Sequence, residues 1–97
     1  MITGQVLTAD AATGITVDTT VASTDATVSG AGNIDIDETD AITLTDVDTA
    51  NGSITVDAGG TITATDVVST TDAEANDIVL TTTGVGSNIA VVTITAG

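Results

Sequence analysis

The sequence predicts an all-β protein in the form of a right-handed parallel β-solenoid, with about four coils of roughly 20 residues each and three short strands per coil. Three observations support this prediction. Val, Ile and Thr dominate a chain that has no Pro and no aromatic residue, and β-branched residues favour strands over helices. Short apolar triplets that alternate with polar residues recur along the chain, and Gly- or Asn-containing segments separate them.

The first strand of each coil is predicted from the most regular triplets. Their leading residues are Ile15, Ile34, Ile54 and Ile78, which recur at nearly even spacing with one longer step before Ile78. A strand of this length buries one face but cannot cover that face alone. Stacking of equivalent strands from successive coils supplies the cover. We therefore expect Ile34 to lie between Ile15 and Ile54.

The second and third strands follow at constant offsets. A second triplet begins at the same distance after the first in two units, at Ile42 and Ile62. A third apolar position also keeps one distance from the leading Ile in three units, at Val28, Val47 and Val67. Three inward positions per unit predict a triangular coil. The predicted core consists of Ile34, Ile36, Ile42, Leu44, Val47, Ile54, Val56, Ile62 and Val67, with Asp35, Thr43, Thr55 and Thr63 pointing outward.

The chain is predicted to be one solenoid segment spanning residues 1–97. Its parts are a partial coil at 1–12 and successive coils at 13–32, 33–50, 51–76 and 77–97. Gly-rich bends such as 30–33, 51–53 and 84–86 separate the strands, where positive φ angles are often needed. The polar stretch 69–76 lengthens one unit and is expected to form a loop.

A β-sandwich is the structural alternative, because it also has many short strands with turns between them. Sandwich strands are usually longer, and their cores usually include aromatic side chains. Constant offsets within each unit are not expected of a Greek key, so the solenoid is favoured.

The composition excludes several function classes. The chain has 14 acidic residues and no Lys, Arg or His, so its net charge is −14. It also has no Cys or Tyr. An ordinary general base, a reactive thiolate and a Schiff-base lysine are therefore missing, and we expect no enzyme. Nothing neutralises phosphate, which excludes nucleic acid and an anionic membrane surface as direct partners. No apolar run is long enough to insert in a membrane.

Two segments resemble filamentous-haemagglutinin-type repeats. They run from Gly32-Asn33-Ile34 through Ala41-Ile42-Thr43-Leu44, and from Asn51-Gly52-Ser53-Ile54 through Ala58-Gly59-Gly60-Thr61-Ile62. The likeness covers about residues 13–97 and its motif is generic. It implies a right-handed parallel β-helix and an extracellular or cell-surface location in a bacterium. It implies no catalytic or binding residues. The complete absence of Lys and Arg departs from the family's pattern.

Two ladders of aspartates are the candidate metal ligands. Asp18, Asp37 and Asp57 occupy the same place after a leading Ile, and Asp46 and Asp66 each precede a third-strand Val. Equivalent residues of adjacent coils lie about 4.7–4.9 Å apart. Ca²⁺ is the candidate cofactor, because it prefers oxygen ligands. The alternative is that each Asp accepts backbone hydrogen bonds at a corner and is otherwise solvated. No known calcium-binding loop motif is present.

Two further patterns point to other functions. Acid pairs such as Asp35 with Asp37 raise the possibility of glycoside hydrolysis, but no aromatic, Arg or apolar pocket would hold a sugar. Thr-x-Thr pairs at Thr43, Thr63 and Thr93 resemble the rows of ice-binding solenoids. Thr is also an ordinary strand residue.

The expected function is structural. We expect a rigid extracellular rod, either the stalk segment of a surface adhesin or the subunit of a head-to-tail filament, with a Ca²⁺-binding or ice-binding module as the alternative. The chain begins in mid-coil near Ile2 and its last triplet ends near Ile94, with no amphipathic cap. Uncapped edges present unpaired backbone groups, so another copy or covalently neighbouring repeats would cover them.

Overall fold

The computed structural model describes residues 2–71 and 76–96. In these residues the chain forms β-strands and no helix. The strands are β1 Ile2–Thr3, β2 Val6–Ala11, β3 Ile15–Thr20, β4 Ser23–Ala31, β5 Ile34–Glu38, β6 Ile42–Asn51, β7 Ile54–Ala58, β8 Ile62–Ala64, β9 Val67–Ser69, β10 Ile78–Thr82, β11 Ile89–Val91 and β12 Ile94–Ala96.

The strands form two parallel sheets. The first has the order β1-β3-β5-β7-β10. The second has the order β11-β8-β6-β4-β2, and in it β9 pairs with both β6 and β12. Every strand pair among the described residues is parallel. Each strand pairs with the equivalent strand of the next coil, so the fold is a β-solenoid of about four turns. The sandwich alternative is excluded, because hairpin-built sheets are antiparallel.

The predicted stacking of the first strand is confirmed. Ile34 pairs with Ile15 on one side and with Ile54 on the other, and Ile54 pairs in turn with Ile78. All nine predicted core residues are buried, with Ile42 the most exposed at 2%. Among the predicted outward residues, Asp35 is exposed, whereas Thr43, Thr55 and Thr63 are half-buried.

The prediction of three strands in every coil is wrong for the two coils that begin at Ile15 and Ile34. In these coils the second and third strands merge into the single strands β4 and β6. A β-bulge at Thr45 marks the expected corner: Leu44 pairs with Thr24 and Asp46 pairs with Asp25, so Thr45 has no counterpart in β4. The bulge bends the strand without ending it. The later coils have three separate strands, and β8 and β9 pair with the two halves of β6.

Val28 is buried as predicted, but its predicted alignment with Val47 is wrong. Val28 pairs with Thr49, and it is Ala26 that pairs with Val47. The first coil has one residue fewer between Thr19 and Ser23 than the next coil has between Glu38 and Thr43. It also has no counterpart of Thr45. These two deletions place the equivalent of Val47 at Ala26, which is earlier in the chain than constant spacing predicts.

Most glycines at the bends allow neighbouring coils to approach closely and do not adopt positive φ angles. Among the described residues positive φ occurs only at Gly14 and Gly86. A Cβ on Gly52 would clash with the carbonyl carbon and oxygen of Gly32 in the neighbouring coil. The expectation of positive φ at residues 30–33 and 51–53 was therefore wrong, and the lack of a side chain is what these bends require.

The predicted loop at 69–76 is shorter than expected. Ser69 ends β9 and is fully buried. The amides of Thr70 and Thr71 donate to the carbonyls of Thr49 (3.0 Å) and Ala50 (3.1 Å), so residues 69–71 still follow the coil. Residues 72–75 of the predicted loop lie outside the described residues.

The stack is no taller than it is wide. Each sheet contains five rungs, which at about 4.8 Å per rung span only about 19 Å between the first and last backbone. The chain measures 33 × 22 × 18 Å, so the height of the stack does not exceed its width. No helix in residues 2–71 and 76–96 is long and apolar enough to cross a membrane.

Candidate functional site

The first predicted ladder forms one straight row, which we call the Asp37 row. Asp18 pairs with Asp37, and Asp37 pairs with Asp57. The fourth rung carries Thr81. Alternation along β3, β5 and β7 turns these carboxylates outward, because the residues on either side of each one point inward. The row lines a cleft of about 350 Å³, whose other walls are Glu38, Thr39, Ala58, Gly59 and Thr83.

The central carboxylate of this row titrates differently from an isolated aspartate. Partial desolvation raises the pKa of Asp37 above its ordinary value. The charge of Asp35 on the same strand and the charges of Asp18 and Asp57 on neighbouring strands add to the shift. Like charges one rung apart disfavour ionisation.

The second predicted ladder, Asp46 and Asp66, gains a third member. Asp25 pairs with Asp46, and Asp66 lies on the other side of Asp46, where its carbonyl accepts from Val47 (2.9 Å). We call Asp25, Asp46 and Asp66 the Asp46 row. The sequence pattern omitted Asp25, because the shortened first coil shifts it out of the expected spacing.

Asp48 is the most strongly perturbed acid described, and sequence reasoning did not assign it to a ladder. Its pKa is raised from 3.8 to about 7. Desolvation is the largest cause, followed by a hydrogen bond with the Asp46 carboxyl and by the charges of Asp46, Asp66 and Asp25. One carboxylate oxygen of Asp46, Oδ1, is buried without a hydrogen-bond partner. Burial and the neighbouring carboxylates therefore favour the protonated form of Asp48 near neutral pH.

Glu38 is a buried acid that the sequence analysis missed. It is only 5% exposed, because it continues the inward alternation of Ile34 and Ile36 along β5. Its carboxylate accepts hydrogen bonds from the Thr19 hydroxyl and from the Val21 amide, the latter at 3.0 and 3.2 Å. Burial raises the pKa of Glu38, and a hydrogen bond with the Asp40 side chain adds to the shift. The inward alternation Ile-x-Ile-x-Glu was the signal for this position.

Glu38 fills the corner where the first coil is one residue short. Val21 lies between β3 and β4, outside the strand ladders, and is 3% exposed. A buried amide without an acceptor is costly, and the Glu38 carboxylate supplies that acceptor. The role of this acid is therefore to close a corner of the solenoid.

The aspartate rows are linear rather than convergent. Within residues 2–71 and 76–96, no three carboxylates gather in an arrangement that would hold a metal ion. Adjacent members of a row face the same side at one-rung spacing, whereas Ca²⁺ takes six to eight oxygen ligands around one point. The Ca²⁺ site at Asp18, Asp37, Asp57, Asp46 and Asp66 remains a prediction.

The threonine rows are shorter than the sequence indicated. Thr43 pairs with Thr63, but the next rung of that row carries Ala90. Thr95 pairs with Val68 in a different row. The pattern predicted from Thr43, Thr63 and Thr93 is therefore broken after two rungs.

Comparisons of this chain with protein-family models, with curated proteins and with solved structures found no match.

Proposed function

We propose that this chain is a structural segment of an extracellular rod, in which coil stacked on coil provides length and stiffness. The rod is either the stalk of a surface adhesin or a filament. The observation that carries this proposal is the continuity of the core from coil to coil. Rows such as Ile15–Ile34–Ile54–Ile78 run through successive coils of the stack, so the same contacts extend with every coil added.

The outer surface supports a mechanical role over a chemical one. Besides the buried Glu38, the interior strands β3 to β7 carry seven carboxylates and no cationic side chain. A surface of one charge sign keeps neighbouring rods apart. The cleft beside the Asp37 row offers carboxylates, two threonine hydroxyls and backbone groups. It has no aromatic or cationic group that would orient a sugar or a phosphate.

The two outermost coils also favour extension. Apolar side chains that would be inward in a longer stack are uncovered there. Val91 is 55% exposed and Ile94 37%, whereas Ala64 and Val67, which pair with them, are fully buried. One further coil at this edge would bury Val91 and Ile94 at about 25 cal/mol per Å² of apolar surface. A stack about as tall as it is wide becomes a rod only through such addition.

A tandem duplication tests the proposal. Residue 97 would be followed directly by a second copy of residues 13–97, which adds four coils. We expect small-angle X-ray scattering to show a particle that is longer by about 19 Å at unchanged cross-section. We also expect a single unfolding transition at a higher temperature than that of the wild-type chain, because each added interface contributes stability. Two compact particles that scatter as beads on a string and unfold independently would overturn the rod.

A further inference from the structure

We propose that a second copy of this chain docks head to tail on the terminal coil, with its β2 paired in parallel to β11 and β12 of the first copy in one fixed register. This inference rests on the proposed function and specifies the partner that extends the rod. The surface involved is the outer edge of the second sheet at both ends of the stack.

The edge strands lack the features that normally prevent pairing. β2 and β11 are the two ends of the second sheet, and β12 pairs only with β9. Natural edge strands are commonly protected by Lys, by Pro or by inward charges. The chain contains no Lys and no Pro, and no charged residue points inward from these three strands. Their free backbone amides and carbonyls are therefore open to a parallel neighbour.

The charge distribution favours end-to-end contact over lateral contact. The edge strands β1, β2, β10, β11 and β12 together include a single carboxylate, Asp10. At the β10 edge the Asp37 row is followed by the neutral Thr81, and at the β2 edge the Asp46 row is followed by Thr8 beside Asp25. Two copies of a chain with charge −14 therefore repel least when they meet end to end.

The register follows from the rows that already cross the stack. One inward row contains Leu7, Thr24, Leu44, Ala64 and Val91, and the next contains Ala9, Ala26, Val47, Val67 and Ile94. Continuing the rows into a second copy places its Leu7 on Val91 and its small Ala9 on the larger Ile94.

The outward row between those strands gives a direct readout. It contains Asp10, Thr27, Asp48, Val68 and Thr95. In the docked pair, Asp10 of the second copy lies beside Thr95 of the first at about 4.8 Å between backbones. A disulfide accepts Cα separations of about 4.4–6.8 Å. Within one chain the same two positions are four rungs apart, about 19 Å, so they cannot bridge internally.

Cysteine cross-linking tests this docking, because the chain has no cysteine of its own. The double variant Asp10→Cys/Thr95→Cys, under mild oxidation at high protein concentration, should give a ladder of dimers, trimers and higher species on non-reducing gels. The control Thr8→Cys/Thr95→Cys moves one thiol by two residues, to about 8 Å, and should remain mostly monomeric. Either single variant should stop at dimers.

The outcomes separate docking from the rod itself. Equal ladders from the Asp10 and Thr8 double variants would show contact without register and overturn the inference. No ladder from either variant would also overturn it. If the tandem duplication nevertheless forms one longer rod, the proposed function stands as a stalk segment without self-docking. If the duplication also fails, both proposals fall.

Discussion

The hydroxyl of Ser69 donates a 2.7 Å hydrogen bond to the carbonyl oxygen of Gly52, which lies earlier in the same coil. The same bond joins Thr49 to Gly32, again at 2.7 Å and at the same separation in sequence. Both hydroxyl side chains are fully buried. Each bond joins the end of a coil to its beginning. Thr49 and Ser69 lie in the same inward row as Val28, so two of the later coils have a buried hydroxyl where the first coil has an apolar side chain.

Substitution of Gly52 by Ala should be strongly destabilising. The added Cβ would clash with the Gly32 backbone, which the coil ladder holds in place, and it would disturb the Ser69 bond. We expect a loss of about 3 kcal/mol or more in the free energy of unfolding, measured by urea denaturation. Gly4→Ala is the matched control, because a Cβ there meets nothing within 4 Å. Equal stabilities of the two variants would contradict the close-approach role.

Removal of the Asp48 charge should stabilise the protein at neutral pH. The pKa of Asp48 is about 7 in the folded chain and about 3.9 in an unfolded chain. Between these values the folded state binds more protons, so the free energy of unfolding falls as pH rises from about 4 to 7. After allowance for solvent screening, Asp48→Asn should gain about 1–2 kcal/mol at pH 8 and nothing at pH 4.

The Asp48 experiment needs a control, because every lost carboxylate reduces the net charge. Asp10→Asn removes an exposed acid from the same outward row at the edge of the sheet, and it should change stability by less than about 0.5 kcal/mol. A gain from Asp48→Asn that is the same at pH 4 and pH 8 would rule out relief of a raised pKa as its cause.

The Glu38 side chain should matter for its acceptor oxygens more than for its charge. Glu38→Ala leaves the buried Val21 amide without an acceptor and opens a cavity, so we expect a loss of about 2–4 kcal/mol. Glu38→Gln keeps one carbonyl oxygen for Val21 and should lose much less. Hydrogen exchange at the Val21 amide reports the effect directly, and an unchanged protection factor in Glu38→Ala would contradict this role.

Chelation should have little effect on stability. The aspartate rows are linear, and they hold no convergent ligand group among the described residues. We expect the melting temperature in excess chelator to stay within about 2 °C of the value without it, a change of a few tenths of a kcal/mol. Ca²⁺ should stabilise no more than Na⁺ at equal ionic strength, because both screen the rows. A drop of tens of degrees in chelator would establish a calcium-dependent rod.

The first strand of each coil was predictable because its residues satisfy two periods at once. Ile34, Ile36, Ile54 and Val56 alternate along the strand and repeat between coils, so the register had only one consistent solution. Constant spacing placed Val47 on Val67 correctly, but it failed for the third position of the first coil. The first coil lacks one corner residue and a counterpart of Thr45, so it has two residues fewer before the third inward position. As a result, Ala26 takes the inward position that was expected of Val28.

The candidate site was predicted in position but not in chemistry. Counting from the leading isoleucines located the Asp37 row, because those residues sit on the regular strand. The perturbed acids depend on neighbours that spacing does not encode. Asp48 owes its pKa to burial, to Asp46 on its own strand and to Asp25 and Asp66 on the flanking coils. The partners of Glu38 lie in the shortened corner at Thr19 and Val21.

Cryo-electron microscopy of the concentrated wild-type chain, at an ionic strength of about 0.15 M to screen its charge, is the most direct test of end-to-end extension. The account predicts unbranched filaments one solenoid wide, with a rung repeat of about 4.8 Å along the axis. It also predicts that filaments lengthen as protein concentration rises. Isolated particles with the 12.1 Å radius of gyration of the single chain at every concentration, with no stacked pairs among them, would contradict it.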